Sequence, residues 1–129
     1  MGEEAYRFID FLRETNQSYW QILPLCPVGK GNSPYTSLCS FAGEILYIDL
    51  NLLVDEKLLE NKEIPAKSFP ENVDYEVVRG FKIPLLRLAS SRFNTKDAEY
   101  RDFCKENEYW LKGFADFMFK REHYEKEFY

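Results

Sequence analysis

Apolar residues recur at helical spacing near the start of the chain. From Glu3 to Thr15 the interval is three or four residues, with charged side chains between, and the apolar positions are Ala5, Phe8, Ile9 and Leu12. Such a stripe is typical of an amphipathic helix, and two acidic residues at its start suit the positive end of the helix dipole. We therefore predict a helix over residues 3–15, ended by residues 16–18.

A compact apolar run follows at residues 19–23 and includes Trp20. Pro24 and Pro27 end the run, because proline fixes φ and cannot donate to a β-ladder. The run predicts a short buried strand, with Trp20 in the core. The residues after the run are rich in turn formers, so they predict an irregular loop: Pro27, Gly29, Gly31, Asn32, Ser33 and Pro34. This loop would lie at the C-terminal end of the strand, where α/β folds place ligands.

Residues 44–59 predict short elements. Residues 44–49 are rich in Ile, Leu and Tyr, which favours a short strand or extended segment. Two aspartates, Asp49 and Asp55, are candidate N-caps for helical turns over the residues that follow each of them.

The second half of the chain has helical patterns separated by a linker. Residues 61–72 contain two prolines and no periodicity, which predicts the linker. Asp74 is a candidate N-cap for the next helix, in which Pro84 predicts a kink or a junction of two helices. From about Thr95 to the end, further helix is predicted, with the most apolar face at Trp110, Leu111, Phe114, Phe117 and Met118. Trp110 is accordingly expected in the core.

Charge and composition exclude several functions. The 129 residues carry a net charge of −5 without a Lys/Arg cluster, which argues against a nucleic-acid partner. The first residues are acidic where a signal peptide is basic, and no apolar run reaches membrane-spanning length, so we expect a cytoplasmic protein without membrane association. An odd count of three cysteines predicts reduced thiols. The single histidine, His123, is expected at the surface, and we expect no metal and no cofactor.

Four blocks of sequence, in order and at matching intervals, resemble the N-terminal region of the 4-alpha-glucanotransferases, also called amylomaltase or disproportionating enzyme. The blocks are residues 20–25 (WQILPL), 33–35 (SPY), 40–43 (SFAG) and 48–50 (IDL). Residues 73–75, 81–84 and 109–118 also resemble the family. The likeness therefore covers nearly the whole chain, but only the first part of the family.

The resemblance implies an α/β fold, the N-terminal portion of an incomplete (β/α)8 TIM barrel that is mostly helical, with one barrel strand and a helical insertion subdomain. It assigns residues 1–49 to the first barrel helix, the second barrel strand and a glucan-binding loop. Residues 50–129 form the insertion, and the remainder of the barrel belongs to the full-length chain. Because a strand and a glycine-rich turn precede this point in the family, Met1 is expected to be a truncated or miscalled start, or the start of a natural remnant.

The implied activity is transfer of α-1,4-glucan segments between malto-oligosaccharides by a retaining mechanism. That mechanism needs two carboxyl groups about 5 Å apart. In the family these groups come from later barrel strands, so the resemblance implies no catalytic residue here and an inactive chain when alone. Glu44 and Asp49, the acidic residues nearest the loop, form an unconvincing catalytic pair.

The family's Ser-Pro-Tyr loop contacts bound oligosaccharide, which implies substrate binding by the Ser33 hydroxyl and the Tyr35 ring, with the adjacent Asn32 amide as a further candidate. Without the resemblance, the same residues are explained as turn anchors. The chain also departs from the family: Asn32 replaces an acidic residue, and Lys30 and Arg79 replace aromatic residues of a second glucan platform. Two alternatives stay open, a free-standing α-glucan-binding module and a helical protein-interaction domain.

Overall fold

A computed structural model describes residues 1–29 and 31–124 of the chain. Its α-helices are α1 (Glu3–Glu14), α2 (Leu50–Asp55), α3 (Tyr75–Arg92), α4 (Ala98–Glu106) and α5 (Glu108–Tyr124). Two 3-10 turns, Ile45–Tyr47 and Asn61–Glu63, lie on either side of α2. The described part of the chain is therefore mostly helical, as predicted.

Helix α1 confirms the first sequence prediction. It begins at Glu3, and Asn16 follows its end with a left-handed backbone (φ +56°) that stops further helical turns. None of its residues is buried, so its apolar stripe stays partly exposed to solvent in the described part of the chain. Phe8 is 41% exposed and contacts Trp20 edge-on, with ring centroids 4.9 Å apart.

The strand predicted at residues 19–23 is not formed: residues 17–25 have no regular secondary structure. A strand needs a neighbouring strand for its hydrogen bonds. Among residues 1–29 and 31–124 the single β-type pairing is the isolated antiparallel bridge between Val28 and Ser37. The prediction of a core position for Trp20 is also wrong for this chain, because the side chain is 41% exposed.

The strand or extended segment predicted at residues 44–49 is instead the first 3-10 turn. The Glu44 carboxylate caps this turn by accepting a hydrogen bond from the Leu46 backbone N–H at 3.1 Å. Asp49 caps α2 as predicted and accepts from the Asn51 N–H at 2.7 Å. Asp55 ends α2 and does not begin a second helix, because the chain turns at residues 56–59.

Helix α3 begins where the sequence predicts. The Asp74 carboxylate accepts from the backbone N–H groups of Glu76 and Val77 at 3.0 and 3.1 Å. The helix runs through Pro84 to Arg92 as one element, so the alternative of two separate helices is wrong. Most of the predicted linker is irregular, although its start at residues 61–63 forms the second 3-10 turn.

A small core joins α2, the following turn and α3. Leu59 is 2% exposed and packs with the buried Leu85 and Ala89 of α3. The core is enlarged by half-buried apolar neighbours: Leu50, Leu53, Val54, Leu58, Ile64, Phe81 and Leu88. This packing fixes α3 against α2 and so determines which side chains of α3 face the N-terminal half.

Helices α4 and α5 occupy the region where further helix was predicted; residues 125–129 lie outside the described residues. Trp110 of α5 is half-buried and donates its indole N–H to the Asn107 side chain at 2.9 Å. His123 is exposed, as predicted, and stacks on Phe119. The division into residues 1–49 and 50–129 stays a prediction.

Candidate functional site

The turn-rich loop predicted after residue 23 folds back on itself. At its base the Leu38 N–H donates to the Pro27 carbonyl at 2.9 Å, and the Gly29 N–H donates to the Thr36 carbonyl at 3.1 Å. Gly31 and Asn32 both have left-handed backbones, with φ of +90° and +54°. Glycine and asparagine tolerate this region better than other residues, which explains their place at the tip.

Ser33 and Tyr35 share this loop, as the sequence predicts. The Ser33 hydroxyl oxygen accepts a hydrogen bond from the Tyr35 backbone N–H at 3.3 Å, and the Ser33 carbonyl accepts from Thr36. Because the Ser33 hydroxyl is the acceptor in this turn, it can still donate its proton to another group. The Tyr35 side chain is 76% exposed, so its ring presents an apolar face and a polar tip to solvent.

Asn32 is held by a residue far away in sequence. Arg79 of α3 donates from Nη2 to the Asn32 side-chain oxygen at 3.0 Å, and both residues are half-buried. In the sequence Arg79 stands out only as a departure from the family, and nothing there predicts this contact. Lys30, the companion departure, lies outside the described residues.

Glu44 and Asp49 bind backbone groups. One Glu44 carboxylate oxygen accepts from the Val28 N–H at 3.3 Å while the other caps the first 3-10 turn. The Glu44 N–H donates to the Leu25 carbonyl at 2.8 Å, so this residue links the turn to the base of the loop. Asp49 is engaged at the start of α2. Both carboxylates therefore have structural partners.

Lys82 extends the contact between α3 and the N-terminal half. Its ammonium group donates to the carbonyl of Leu46 at 2.6 Å and also to the carbonyl of Ile48. Burial lowers the pKa of Lys82, and the nearby Asp49 carboxylate acts in the opposite direction. Because Arg79 lies one helical turn before Lys82, one side of α3 holds both the loop tip and the turn that follows the loop.

An aromatic groove lies beside the loop, between residues 37–41 and α5. Phe41 stacks on Trp110 and meets Tyr109 edge-on, with ring centroids 5.9 and 5.5 Å apart. The groove continues along Gly113, Phe114 and Phe117. It is largely apolar, and Phe41 is 62% exposed.

Within residues 1–29 and 31–124 no group of three or more His, Cys, Asp or Glu side chains is placed to hold a metal ion. Cys26, Cys39 and Cys104 are free thiols. None of the described helices is long and apolar enough to cross a membrane.

Comparison with known proteins decides the family. The sequence model of the family described as 4-alpha-glucanotransferase matches residues 1–129. The chain belongs to the 4-alpha-glucanotransferase family. This result confirms the family that the four sequence blocks indicated.

Individual 4-alpha-glucanotransferases give the same result. The chain is 40% identical over 131 residues to the 4-alpha-glucanotransferase of Streptococcus pneumoniae, with 96% of this chain and 26% of the relative covered. It is 42% identical over 132 residues to that of Aquifex aeolicus, with 100% and 27% covered. A chloroplastic/amyloplastic 4-alpha-glucanotransferase of Arabidopsis thaliana is 39% identical over 101 residues, covering 78% and 18%.

The chain thus spans about a quarter of the length of the two bacterial 4-alpha-glucanotransferases. The side chains described above account for a loop and its supports within that quarter. In that loop Tyr35 is exposed and Asn32 is bonded to Arg79 of α3.

Proposed function

We propose that this chain is the N-terminal part of a 4-alpha-glucanotransferase and that it contributes a glucan-binding loop to the substrate cleft. The observation that carries the proposal is the match of the family model to all 129 residues. The fold we propose for the longer polypeptide is a (β/α)8 barrel, in which the apolar residues 19–23 gain neighbouring strands.

In the proposed reaction a carboxylate attacks the anomeric carbon of an α-1,4-glucan, while a carboxylic acid protonates the departing glucosidic oxygen. The 4-hydroxyl of a second glucan then attacks the covalent glucosyl-enzyme and returns a proton to the same acid. One α-1,4 bond is broken and one is formed, so no water is consumed. Since Glu44 and Asp49 have structural partners, we assign the reacting carboxyl groups to later parts of the polypeptide.

Within this reaction the loop binds the sugar chain. The Tyr35 ring is suited to lie against a pyranose face and to hydrogen-bond a sugar hydroxyl with its own. The Ser33 hydroxyl is positioned next to it and retains its proton for donation. The ligand class is therefore a neutral α-1,4-linked malto-oligosaccharide, which also fits the absence of a cationic cluster in the sequence.

A chimera tests the proposal. In it this chain replaces the matching 27% of the Aquifex aeolicus 4-alpha-glucanotransferase, to which the whole of this chain aligns at 42% identity. We expect the chimera to convert two molecules of maltotriose into glucose and maltopentaose, and the 129-residue chain to leave maltotriose unchanged. Separation of products by chain length provides the measurement. A chimera that folds but transfers no glucan would contradict the proposed role.

Tyr35→Ala in the chimera tests the loop itself. We expect the KM for maltotriose to rise about tenfold, since loss of an aromatic stacking contact and a hydrogen bond costs roughly 1–2 kcal/mol. Tyr109→Ala is the matched control, because Tyr109 is 74% exposed and Tyr35 is 76% exposed. Equal effects of the two substitutions would rule out a specific role for the loop.

Binding of maltoheptaose to the 129-residue chain, together with the activity of the chimera, separates the two alternatives. A free-standing glucan-binding module would bind maltoheptaose in a saturable way as the 129-residue chain and would lose that binding with Tyr35→Ala. A helical protein-interaction domain would bind no glucan, and its chimera would be inactive.

A further inference from the structure

We propose that Arg79 is a positioning residue for the glucan-binding loop: from α3 it holds Asn32 and thereby fixes the loop conformation that Ser33 and Tyr35 need to bind glucan. This inference rests on the proposed function and deepens it. It assigns a role to a residue that shares no sequence block with the loop, since 47 positions separate Arg79 from Asn32.

The contact is suited to hold the loop tip. The guanidinium is a charged donor, the Nη2–Oδ1 distance is 3.0 Å, and both side chains are half-buried, which reduces competition from water. Asn32 also has a left-handed backbone, which is less favourable than the extended or helical regions even for asparagine. A bond from outside the loop offsets that cost and keeps this backbone conformation populated.

Arg79 itself lies on a fixed element. Two later residues of α3, Leu85 and Ala89, are buried against Leu59. One turn after Arg79, Lys82 donates to the backbone carbonyls of Leu46 and Ile48. Helix α3 is therefore anchored on both sides, and Arg79 extends from it to the loop tip.

The loop's other supports are at its base or within the loop. Glu44 binds the Val28 N–H at the base. The bonds nearer the tip join Asn32 to Gly29 at 3.3 Å and Thr36 to Ser33 at 3.2 Å, and both are local. Of the tip contacts described here, the bond from Arg79 is the one that joins the tip to a helix.

The strength of glucan binding depends on the fraction of molecules whose loop is in the binding conformation. A ligand that binds one loop conformation has an apparent dissociation constant equal to its intrinsic value divided by the fraction of loops in that conformation. Loss of the hydrogen bond from Arg79 lowers this fraction and therefore weakens binding. Asn32 then acts mainly by holding the loop, because its side-chain oxygen is engaged by Arg79.

The test uses the chimera with the Aquifex aeolicus enzyme and two readouts: hydrogen exchange of the loop peptide that contains the Asn32 and Thr36 amides, followed by mass spectrometry, and the KM for maltotriose. In Arg79→Met we expect faster exchange of this peptide and a KM raised about three- to tenfold, as for loss of one charged hydrogen bond at a half-exposed site. Arg79→Lys keeps a cationic donor, so it should restore part of the slow amide exchange and part of the low KM. The control is Arg87→Met, the same chemical change on the same helix at an exposed residue paired with Glu122, which should alter neither readout.

The outcomes separate the inference from the proposed function. If amide exchange in the loop is equally fast in Arg79→Met and Arg87→Met, the hydrogen bond from Arg79 does not hold the loop tip. Faster exchange with an unchanged KM would overturn the positioning role and leave the proposed function standing. A general loss of stability, seen as a lower unfolding midpoint in Arg79→Met than in Arg87→Met and no rescue by Arg79→Lys, would also overturn it. An unsubstituted chimera that folds but transfers no glucan would overturn the proposed function, whereas the exchange readout alone still decides whether Arg79 holds the loop tip.

Discussion

Glu63 and Arg92 form an ion pair that links the second 3-10 turn to the end of α3. The two guanidinium nitrogens of Arg92 donate to the two carboxylate oxygens of Glu63 at 2.6 and 2.7 Å, and one also donates to the Leu58 carbonyl. The hydrogen bonds from Arg92 and from the Glu60 backbone N–H lower the pKa of Glu63 from 4.5 to about 2. The pair therefore favours the ionised carboxylate in the folded chain.

This pKa shift makes stability depend on pH. A carboxyl whose pKa is lower in the folded state stabilises the fold fully above its unfolded value of 4.5, and that contribution is lost as the pH falls towards 2. We predict that Glu63→Gln lowers the urea midpoint above pH 4.5 and flattens its decline below that pH. Urea unfolding followed by circular dichroism across this range provides the measurement.

Glu122→Gln is the control for this prediction, because Glu122 also pairs with an arginine of α3 but lies on the surface. This variant should keep the acid-dependent loss of stability. If Glu63→Gln and the unsubstituted chain lose stability in parallel between pH 4.5 and 2, the ion pair does not contribute in this way.

Residue roles that depend on near neighbours were predictable from the sequence. Asp49 and Asp74 were identified as N-caps because a cap binds N–H groups two or three residues later. Ser33 and Tyr35 were assigned to one loop because proline and glycine around them exclude regular structure. The bond from Arg79 to Asn32 was not predictable, since it depends on how α3 packs against residues far away in sequence.

At the scale of elements, α3 connects the two halves of the described chain. It supplies two of the buried core residues, Leu85 and Ala89, and both cationic contacts to the N-terminal half. Its start depends on Asp74, whose single carboxylate oxygen accepts from two backbone N–H groups. Weakening this cap should therefore affect both the core and the loop.

We predict that Asp74→Ala lowers the free energy of unfolding by about 1 kcal/mol, the usual cost of removing an N-cap acceptor. Asp74→Asn keeps an acceptor oxygen and should cost only a few tenths of that amount. Chemical denaturation of the three chains provides the comparison. Equal losses in the alanine and asparagine variants would show that the charge, and not the cap, matters at this position.

Helices were predicted more accurately than extended segments, for a physical reason. The bonds of α1 and α3 lie within a few residues of each other, so periodicity and caps specify them. The apolar run at residues 19–23 favours burial but does not specify a neighbouring strand, and no β-ladder forms there in the described chain. The Ile45–Tyr47 run was equally ambiguous, and the Glu44 carboxylate decided it in favour of a 3-10 turn.

For the whole molecule, the exposed surface is large. It measures 10658 Å², whereas a compact monomer of this mass exposes about 7,200 Å². The buried hydrophobic residues of the described chain are few: Ala42, Leu46, Leu59, Leu85 and Ala89. Large apolar side chains of residues 19–23 are exposed instead, including Ile22 at 48% and Leu23 at 54%. We attribute this surface to contacts with the rest of the proposed barrel.

We predict that the 129-residue chain associates with itself as its concentration rises, because contiguous exposed apolar surface favours association. Replacing Ile22 and Leu23 with serine should reduce this association. Sedimentation velocity over a range of concentrations provides the measurement. Val73→Ser is the control, since Val73 is 72% exposed between the linker and α3 and is far from residues 19–23 in sequence. A chain that stays monomeric throughout would contradict the prediction.

Pro84 has a consequence for the part of α3 that holds the loop tip. Because proline has no N–H, the Gly80 carbonyl loses the donor that an unbroken helix supplies four residues later. Gly80 has no side chain to shield that carbonyl, so water reaches it more easily. Lys82 lies in the same turn, and its two hydrogen bonds to the Leu46 and Ile48 carbonyls offset that missing helical bond. Arg79 directly precedes Gly80, so its guanidinium holds Asn32 from a backbone that Lys82 keeps in place.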